Sequence, residues 1–325
     1  MIQLLIWFMV FLMPNNNGKI ITVATENQLH QALQAARPGD EIIIKAGSYS
    51  GNFSISVLAS GTATKPIVLR GEGKVVLNGG TIVTGYVLHL KANYWVIKNI
   101  SITNGLKGLM CDGANYNLID SIRVYNIGEE AVHFRKFSTH NILQHSNISN
   151  TGLKTADYGE GVYLGTAVSN WAKNTEGKED RSDSNNVINN HIGPNITAEC
   201  IDVKEGSTGG LVSGNYFDAT GINGANSGDS WMDVKGNGYL IENNKGFNLE
   251  GSILKDGFQV HCAANGWGNN NVFKNNQCEV NAEGYGINVT LVSSKGKVSG
   301  TKVYINNVVN GATKGLTNIE LYNDK

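Results

Sequence analysis

The segments ECIDVK (residues 199–204) and SWMDVK (residues 230–235) repeat one alternation of apolar and charged side chains in a chain of 325 residues. In a β-strand, alternate side chains leave opposite faces. The isoleucine and valine of the first segment would therefore face one way, and Asp202 and Lys204 the other. The second segment repeats this order with methionine, valine, aspartate and lysine. We therefore expect two stacked strands that share one apolar face and one charged face.

Four more segments align with this pair and extend the stack: EAVHFR (130–135), EGVYLG (160–165), DGFQVH (256–261) and YGINVT (285–290). The third and fifth residues of all six segments are apolar, which predicts two inward-facing columns. The fourth residues form an outward column of His133, Tyr163, Asp202, Asp233, Gln259 and Asn288. The sixth residues form another, of Arg135, Gly165, Lys204, Lys235, His261 and Thr290. The first residues form a third, of Glu130, Glu160, Glu199, Ser230, Asp256 and Tyr285.

The rest of the chain carries similar irregular repeats. Segments such as NYWVIKNISI, NYNLIDSIRV and NGYLIENNKG place short apolar strands between turns rich in asparagine and glycine. The positions that we take as equivalent in successive coils are Val96, Leu118, Ile142, Val187, Leu211, Leu240, Val272 and Val303. Imperfect repeats of this size, without helical periodicity or regularly spaced leucines, predict a parallel β-helix whose stacked coils bury one continuous core.

One amphipathic helix precedes the repeats. Thr25 and Gln28 form a capping box at its start, and the apolar residues that follow share one helical face. We expect this helix to cover the open end of the solenoid. The predicted fold is all-β: a single right-handed parallel β-helix from about residue 40 to the end, within one domain spanning residues 19–325. Residues 165–184 are expected to project as an inserted loop beside the charged face.

Composition excludes several classes of partner. The formal net charge is −1, charged residues make up 16%, and the chain has 40 glycines but only 4 prolines. This balance produces no overall field that favours nucleic acid or a membrane surface. The four cysteines are too few and too scattered for a disulfide framework, so we expect buried thiols. The predicted protein is a monomer that binds neither nucleic acid nor membrane.

The N-terminus predicts export. Residues 1–18 contain an apolar run from Leu4 to Met13 followed by a polar break, which is too short to span a bilayer and is typical of a signal peptide. Sequons for N-glycosylation, typical of a secreted glycoprotein, occur at Asn52, Asn99, Asn147, Asn195 and Asn288. We therefore expect a secreted, extracellular protein.

The outward columns collect charge that is scarce elsewhere in the chain. Coils of a β-helix lie ~4.8 Å apart, so Lys204 and Lys235 would be neighbours, with Arg135 and His261 near the ends of the row. Adjacent cations disfavour each other's charge, which predicts a lowered pKa for at least one lysine. We favour a functional site here. The alternative is an exposed salt-bridge ladder, because the aspartates of the next column offset part of the charge.

Three segments, NQLHQALQAARPGDEIIIKAGSY, GTATKPIVLRGEG and YWVIKNISITNG, resemble family 6 polysaccharide lyases, the group of alginate lyase and chondroitinase B. The resemblance continues through YGEGVYLGT and ECIDVKEGSTGGLVSGNYFD, and it covers about residues 20–100 and 155–245. It implies a pectate-lyase-like β-helix that acts on an anionic polysaccharide. It also implies that Lys204 is the Brønsted base and Glu199 a calcium ligand. The family's catalytic arginine falls at Lys235.

The chemistry of such a lyase matches the outward columns. β-Elimination at a 4-linked uronate requires neutralisation of the C6 carboxylate, removal of the C5 proton and protonation of O4. The candidate catalytic residues are Lys204, Lys235, Tyr163, His133, His261 and Arg135. Lys204 would remove the proton, Lys235, Arg135 or calcium would hold the carboxylate, and the tyrosine or a histidine would protonate the leaving oxygen. The candidate substrate-binding residues are Asp202, Asp233, Gln259, Trp231 and Trp267. The tryptophans would stack on sugar rings, with packing in turns as the alternative.

The first residues of the aligned strand segments include candidate metal ligands. Glu130, Glu160, Glu199 and Asp256 begin neighbouring coils, and hard carboxylate oxygens suit calcium. Glu199 and Glu160 are the predicted ligands. The resemblance aligns a second calcium glutamate of the family near Thr197, so we expect weak calcium binding at most.

Two other classes of function stay open at this point. A glycoside hydrolase on the same fold needs two carboxylates that flank the bond, and Asp202 with Asp233 or Glu160 fits that need. A noncatalytic glycan-binding β-helix needs only the aromatic and polar face. The substrate also stays open among alginate, pectate and glycosaminoglycan.

Overall fold

The computed structural model of the protein describes residues 18–249 and 253–323. The predicted signal segment, residues 1–18, lies outside this part of the chain except for Gly18. Within the described residues, no helix is both long and apolar enough to cross a membrane.

Short parallel strands stack coil upon coil through most of the chain, which confirms the predicted β-helix. One sheet of nine strands forms one face of the stack. Its strands are Phe53–Ile55, Tyr86–Leu90, Lys107–Asp112, Val132–Arg135, Val162–Leu164, Ile201–Val203, Met232–Val234, Phe258–Val260 and Ile287–Val289. Each pairs in parallel with the strand one coil away, so neighbours in this sheet come from successive coils.

A second sheet of twenty strands forms the rest of the wall. This sheet consists of two stacks of short strands. The long strands Glu41–Ser50 and Ile67–Asn78, which pair with each other, connect the two stacks. The remaining strands of this sheet are Ile20–Val23, Trp95–Lys98, Ser101–Thr103, Leu118–Asp120, Arg123–Tyr125, Ile142–Gln144, Asn147–Ser149, Asn186–Ile188, His191–Ile192, Leu211–Ser213, Tyr216–Asp218, Leu240–Glu242, Lys245–Phe247, Val272–Lys274, Gln277–Ala282, Lys302–Tyr304, Val308–Ala312 and Leu321–Tyr322. Val292–Ser293 and Gly296–Lys297 form a separate antiparallel pair.

The helices are few and short. The α-helices are Glu26–Ala35 and Trp171–Asn174, and the 3₁₀-helices are Ala156–Tyr158, Val168–Asn170 and Ala225–Ser227. At the start of the first helix, the backbone N–H of Gln28 donates to Oγ1 of Thr25, as predicted. This helix packs on the end of the nine-stranded sheet, where His30 stacks on Phe53 at 4.7 Å between ring centroids. It therefore covers one end of the core. The strand Ile20–Val23 already pairs with the solenoid, which begins before residue 40.

The register of the nine-stranded sheet is the predicted one. Val132, Val162, Ile201, Met232, Phe258 and Ile287 are partners in successive strands. All six side chains are 0% exposed and form one inward column of the core. Because the side-chain period of a strand is two, this register fixes which residues face outward.

The register of the other sheet departs from the prediction by one residue in two coils. Ile142 pairs with Asn186 rather than Val187, and Val272 pairs with Lys302 rather than Val303. Val187 and Val303 belong to the inward column, and both are 0% exposed. Many strands of this sheet carry apolar residues at both positions, so apolar character alone does not distinguish the inward one.

Buried asparagines explain much of the asparagine content. Two ladders stack amide on amide through the solenoid: Asn117, Asn141 and Asn185, and then Asn190, Asn215, Asn244, Asn276 and Asn307. Within each ladder, the amide oxygen accepts from the coil before it, and the amino group donates to a backbone carbonyl and to the next asparagine. The last members, Asn185 and Asn307, donate to backbone carbonyls alone. The sequence predicted asparagines in turns, where Asn243 indeed has a positive φ of 57°. The buried ladders were not predicted.

Replacing Asn244 with alanine should lower the free energy of unfolding by about 3 kcal/mol, because several buried partners lose hydrogen bonds together. Those partners include the backbone N–H of Asn215, the amide of Asn276 and the carbonyl of Val212. Chemical denaturation measures the change. Lys245→Ala, at the exposed neighbouring position, is the control and should change little; an equally small change for Asn244→Ala would show that the ladder does not stabilise the fold.

Candidate functional site

Three rows of polar side chains run along the outward surface of the nine-stranded sheet, which we call the outer face. The middle row is formed by His133, Tyr163, Asp202, Asp233 and Gln259, which are partners in successive strands. One flanking row contains the residues that precede each strand, and the other contains the residues at each strand's end. The structure thus assembles the predicted polar residues of these segments on one face.

Asp202 is the centre of the outer face. Its Oδ2 lies 2.5 Å from Nζ of Lys204, and its Oδ1 lies 2.9 Å from Nζ of Lys235. Lys235 also contacts Asp233, with Nζ 2.6 Å from Oδ2. Asp202 is 1% exposed and Lys204 is 9% exposed. These are buried ion pairs, not an exposed ladder, and removal of one partner would leave a buried charge uncompensated.

The pKa values of both lysines are raised, which contradicts the predicted lowering. Burial alone would lower the pKa of Lys204, but the neighbouring carboxylates, Asp202 foremost, outweigh it. Burial of Lys235 is likewise outweighed by Asp202 and Asp233, although Lys204 opposes them. The prediction treated the aspartates as a separate column, whereas Asp202 reaches both amines. In this arrangement both lysines are ammonium ions.

Tyr163 lies between His133 and Lys204. Its ring centroid is 4.4 Å from that of His133 and 4.9 Å from Nζ of Lys204, which is a cation–π distance. Burial and the neighbouring carboxylates raise the pKa of Tyr163 well above its usual value, so the hydroxyl keeps its proton. His133 is buried, which lowers its pKa, and its Nε2 donates to the carbonyl of Gly165 at 2.8 Å. His133 is therefore a neutral support for the tyrosine ring.

Three buried carboxylates meet beside the lysines. One oxygen each of Glu160, Glu199 and Asp202 lies within 4.8 Å of the others. Burial, with Glu130 and Asp202 nearby, raises the pKa of Glu160 to about 8, and burial raises the pKa of Glu199 well above its usual value. Oε2 of Glu160 is buried and has no hydrogen-bond partner within the described part of the chain. This donor set fits a hard divalent cation such as calcium, which would give that oxygen a partner and compensate the clustered charge.

The other two carboxylates considered as metal ligands, Glu130 and Asp256, are not members of this cluster. Glu130 is paired with Lys107, and Asp256 accepts from the amide of Asn288 at 2.9 Å. Thr197 donates its hydroxyl to a backbone carbonyl. The cluster therefore contains the two predicted glutamates, and its third member is an aspartate that the sequence assigned to substrate binding.

Arg135 and His261 lie on either side of the two lysines. In the described part of the chain, neither forms a hydrogen bond with Lys204 or Lys235. Nε of Arg135 donates to Oδ1 of Asp112 at 2.7 Å. Nε2 of His261 lies 2.8 Å from Oε1 of Gln259 and 3.4 Å from Oδ1 of Asp233. Both residues belong to the outer face, as predicted, but Arg135 forms part of a different cluster.

Neither tryptophan presents its ring to a substrate, which contradicts their predicted role. Trp231 is 0% exposed and packs on Phe258 in the core, at 5.7 Å between ring centroids. A Cβ at Gly246 would lie 2.5 Å from its indole, so the glycine leaves room for the ring. Trp267 is 6% exposed and its Nε1 donates to Glu179 of the inserted loop. Both residues are therefore packing residues, although Trp231 packs in the core and not in a turn as the alternative interpretation had it.

The inserted loop, residues 165–184, is fixed beside the outer face by two acidic residues that the sequence analysis missed. Buried Asp180 accepts from the backbone N–H groups of Lys136 and Phe137, both at 2.8 Å. Glu205 accepts from a backbone N–H of the loop at 2.6 Å. No periodic pattern marks either residue, because both act on irregular backbone.

Comparisons with known proteins agree with this architecture. Residues 13–161 match a protein family described as Pel9A-like, right handed beta helix region. The chain is 38% identical to the alginate lyase from Paenibacillus sp. str. FPU-7, with a TM-score of 0.81 and coverage of 90% of this chain and 97% of that one. Pectate lyase Pel9A superposes with a TM-score of 0.60 at 16% identity, covering 94% of this chain and 78% of that one, which shows the fold alone.

One curated relative matches over a shorter length. Pectate lyase PEL9 of Emericella nidulans is 27% identical over 128 residues, which cover 34% of this chain and 31% of that protein. The chain thus matches about a third of the length of this relative. Together, the similarities confirm that the β-helix is right-handed and that the relatives of the chain include polysaccharide lyases.

Proposed function

Because the chain belongs to the family of the Paenibacillus alginate lyase, among the right-handed β-helix polysaccharide lyases, we propose that it cleaves a uronate polysaccharide by β-elimination. Alginate is the first substrate to test, since it is the substrate named for that relative. The predicted signal segment makes secretion part of the proposal. The observation that carries it is the convergence of two lysines and a tyrosine around Asp202 on the outer face.

The two lysines take different roles in this proposal. Lys235 is held by both Asp202 and Asp233, so it keeps its charge and attracts the C6 carboxylate of the sugar. Lys204 contacts Asp202 but not Asp233, and its amine lies against the ring of Tyr163. We assign to Lys204 the removal of the C5 proton. The neighbouring carboxylates favour the protonated amine of Lys204, so this amine must first release one proton to solvent before it can accept the C5 proton.

Tyr163 is the proposed acid that protonates O4. Its raised pKa keeps the hydroxyl protonated, and its ring touches the amine that takes the C5 proton, so one residue pair serves both proton transfers. His133 suits this role less, because its Nε2 already donates to a backbone carbonyl. His261 lies beyond Lys235 and is engaged with Gln259.

Calcium fits the three buried carboxylates, and Glu160, Glu199 and Asp202 would hold it. When bound there, the ion would supply positive charge next to the sugar carboxylate and the lysines. Within the chain itself, Asp202 would then be shared between the ion and both amines, which links the metal ligands to the proposed base.

Calcium affinity should fall as the pH falls through about 8, because Glu160 then holds a proton that the ion must displace. Isothermal titration of calcium into the protein at several pH values measures this. Glu160→Gln should remove the binding at every pH. Glu242→Gln, which alters an ion pair on the other sheet, should leave it unchanged. Equal calcium affinity for Glu160→Gln and the unaltered protein would contradict the site.

A hydrolase is the second candidate, and one observation favours it. The pKa of Glu160 is raised to about 8, so this residue can carry a proton. Beside it, Lys204 and Lys235 lower the pKa of Asp202 although burial opposes them. A proton donor next to a carboxylate is the pairing that glycoside hydrolysis uses.

A panel of alginate, pectate and glycosaminoglycan separates these functions. β-Elimination leaves a double bond conjugated with the carboxylate, so ultraviolet absorbance should rise with alginate. New reducing ends without that absorbance would indicate a hydrolase. Binding without any product would indicate a glycan-binding protein.

A further inference from the structure

A second cationic cluster lies on the outer face, nearer the N-terminus than the lysines. Three basic groups surround the carboxylate of Asp112: Nε of Arg135 at 2.7 Å, Nε2 of His89 at 3.1 Å and Nζ of Lys136 at 3.5 Å. We call these four residues the Asp112 cluster. One carboxylate balances only one of the two permanent cations, so the cluster keeps an excess of positive charge even when His89 is neutral.

The Asp112 cluster is aligned with the proposed active site. Arg135 is the last residue of the strand Val132–Arg135, which pairs with the strand Val162–Leu164. The strand Val162–Leu164 pairs in turn with Ile201–Val203, which is followed by Lys204. The row therefore passes from Arg135 through Gly165 to Lys204. Gly165 places no side chain between the two cationic centres, although the glycine itself is buried. They are two coils apart, which is about 10 Å along the sheet.

Arg135 keeps donors available for a ligand. Its Nε and Nη2 contact Asp112, and Nη2 also lies 3.3 Å from the hydroxyl of Tyr86. Its Nη1 donates no hydrogen bond to the residues that the structure describes. The side chain is 13% exposed, so it reaches solvent from a mostly desolvated position. A guanidinium in this state binds carboxylates more strongly than a fully exposed cation does.

We propose that the Asp112 cluster is an anion subsite, which binds a carboxylate of the polysaccharide about two sugar units from the unit at Lys204 and Lys235. This inference rests on the proposed function. A polyuronate carries a negative charge on every sugar, and one sugar is comparable in length with one coil. A chain lying along the row reaches both cationic centres, whereas a disaccharide reaches only one. The subsite therefore makes the protein favour long substrates.

Binding of alginate fragments to an inactive form tests the inference. In a Lys204→Met background, calorimetry compares an alginate hexasaccharide with a disaccharide. Adding Arg135→Gln should weaken hexasaccharide binding by about 10- to 100-fold, the range expected for one charge-assisted contact, and should affect the disaccharide far less. Arg123→Gln, on a strand of the other sheet, is the matched control and should weaken neither.

A second variant keeps the inference testable if Arg135→Gln does not fold. Lys136 has a side chain that is 36% exposed, so Lys136→Gln should fold and should show a smaller loss that again grows with chain length. If these variants weaken hexasaccharide and disaccharide equally, or weaken neither, the subsite is wrong while the proposed function stands. If the Lys204→Met form binds no alginate fragment and the unaltered protein cleaves none of the uronate polymers, both the proposed function and the subsite fail.

Discussion

Lys204→Met should lower kcat on alginate by about a thousandfold, within the range that a positioned general base contributes. Methionine keeps the length of the side chain and removes the amine. The expected loss lies in kcat more than in KM, because Lys235 and Asp202 remain to hold the substrate and the site. Initial rates of double-bond formation across a range of alginate concentrations measure both constants.

The control for Lys204→Met is Lys245→Met, which removes an exposed lysine from the strand Lys245–Phe247 of the other sheet. Its kcat should equal that of the unaltered protein. The circular dichroism and the unfolding midpoint of each variant establish whether it is folded. A folded Lys204→Met protein that retains full kcat would remove the lysine from the mechanism.

Asp202→Asn should lower the free energy of unfolding by about 3–5 kcal/mol, the usual effect of removing one partner from a buried ion pair. Lys204 would lose its closest carboxylate, and Lys235 would keep only Asp233. Both amines would then stay buried with too little negative charge around them. Denaturant unfolding at neutral pH measures the change.

Asp120→Asn provides the matched comparison, because Asp120 pairs with His145 at a more exposed position. Exposed pairs contribute about 1 kcal/mol or less, so this variant should be nearly neutral. Similar small effects for the two substitutions would mean that the buried ion pairs around Asp202 do not support the fold.

The sequence predicts the nine-stranded sheet well because each strand has one apolar face. The inward residues Val132, Val162 and Ile201 align only in one register, and the structure has that register. In the other sheet, Val187 and Val303 were assigned to the wrong column, because apolar residues occupy both faces of many of its strands. Apolar alternation thus determines register only where the outward positions are polar.

The environment of the charged residues was harder to predict. A strand pattern shows that Asp202 and Lys204 face outward, but not that both are buried on that face. The lowered lysine pKa was predicted from the spacing of cations alone, and the rotamers that bring Asp202 to both amines reverse its sign. Asp180 illustrates a further limit, since it binds irregular backbone that no repeat pattern describes.

The prediction for the tryptophans failed for a different reason. Trp231 occupies an irregular position between strands, where alternation no longer gives the direction of a side chain. The space left by Gly246 admits its indole to the core, and the sequence does not show that these two residues meet.

Mass spectrometry of the products from alginate tests the central proposal most directly. β-Elimination without water predicts fragments with an unsaturated uronate at the new non-reducing end, each lighter by one water than the corresponding hydrolysis product. We expect these unsaturated fragments from the unaltered protein and about a thousandfold fewer from Lys204→Met. Saturated sugars at the newly formed non-reducing ends, or unsaturated fragments in equal yield from both proteins, would contradict it.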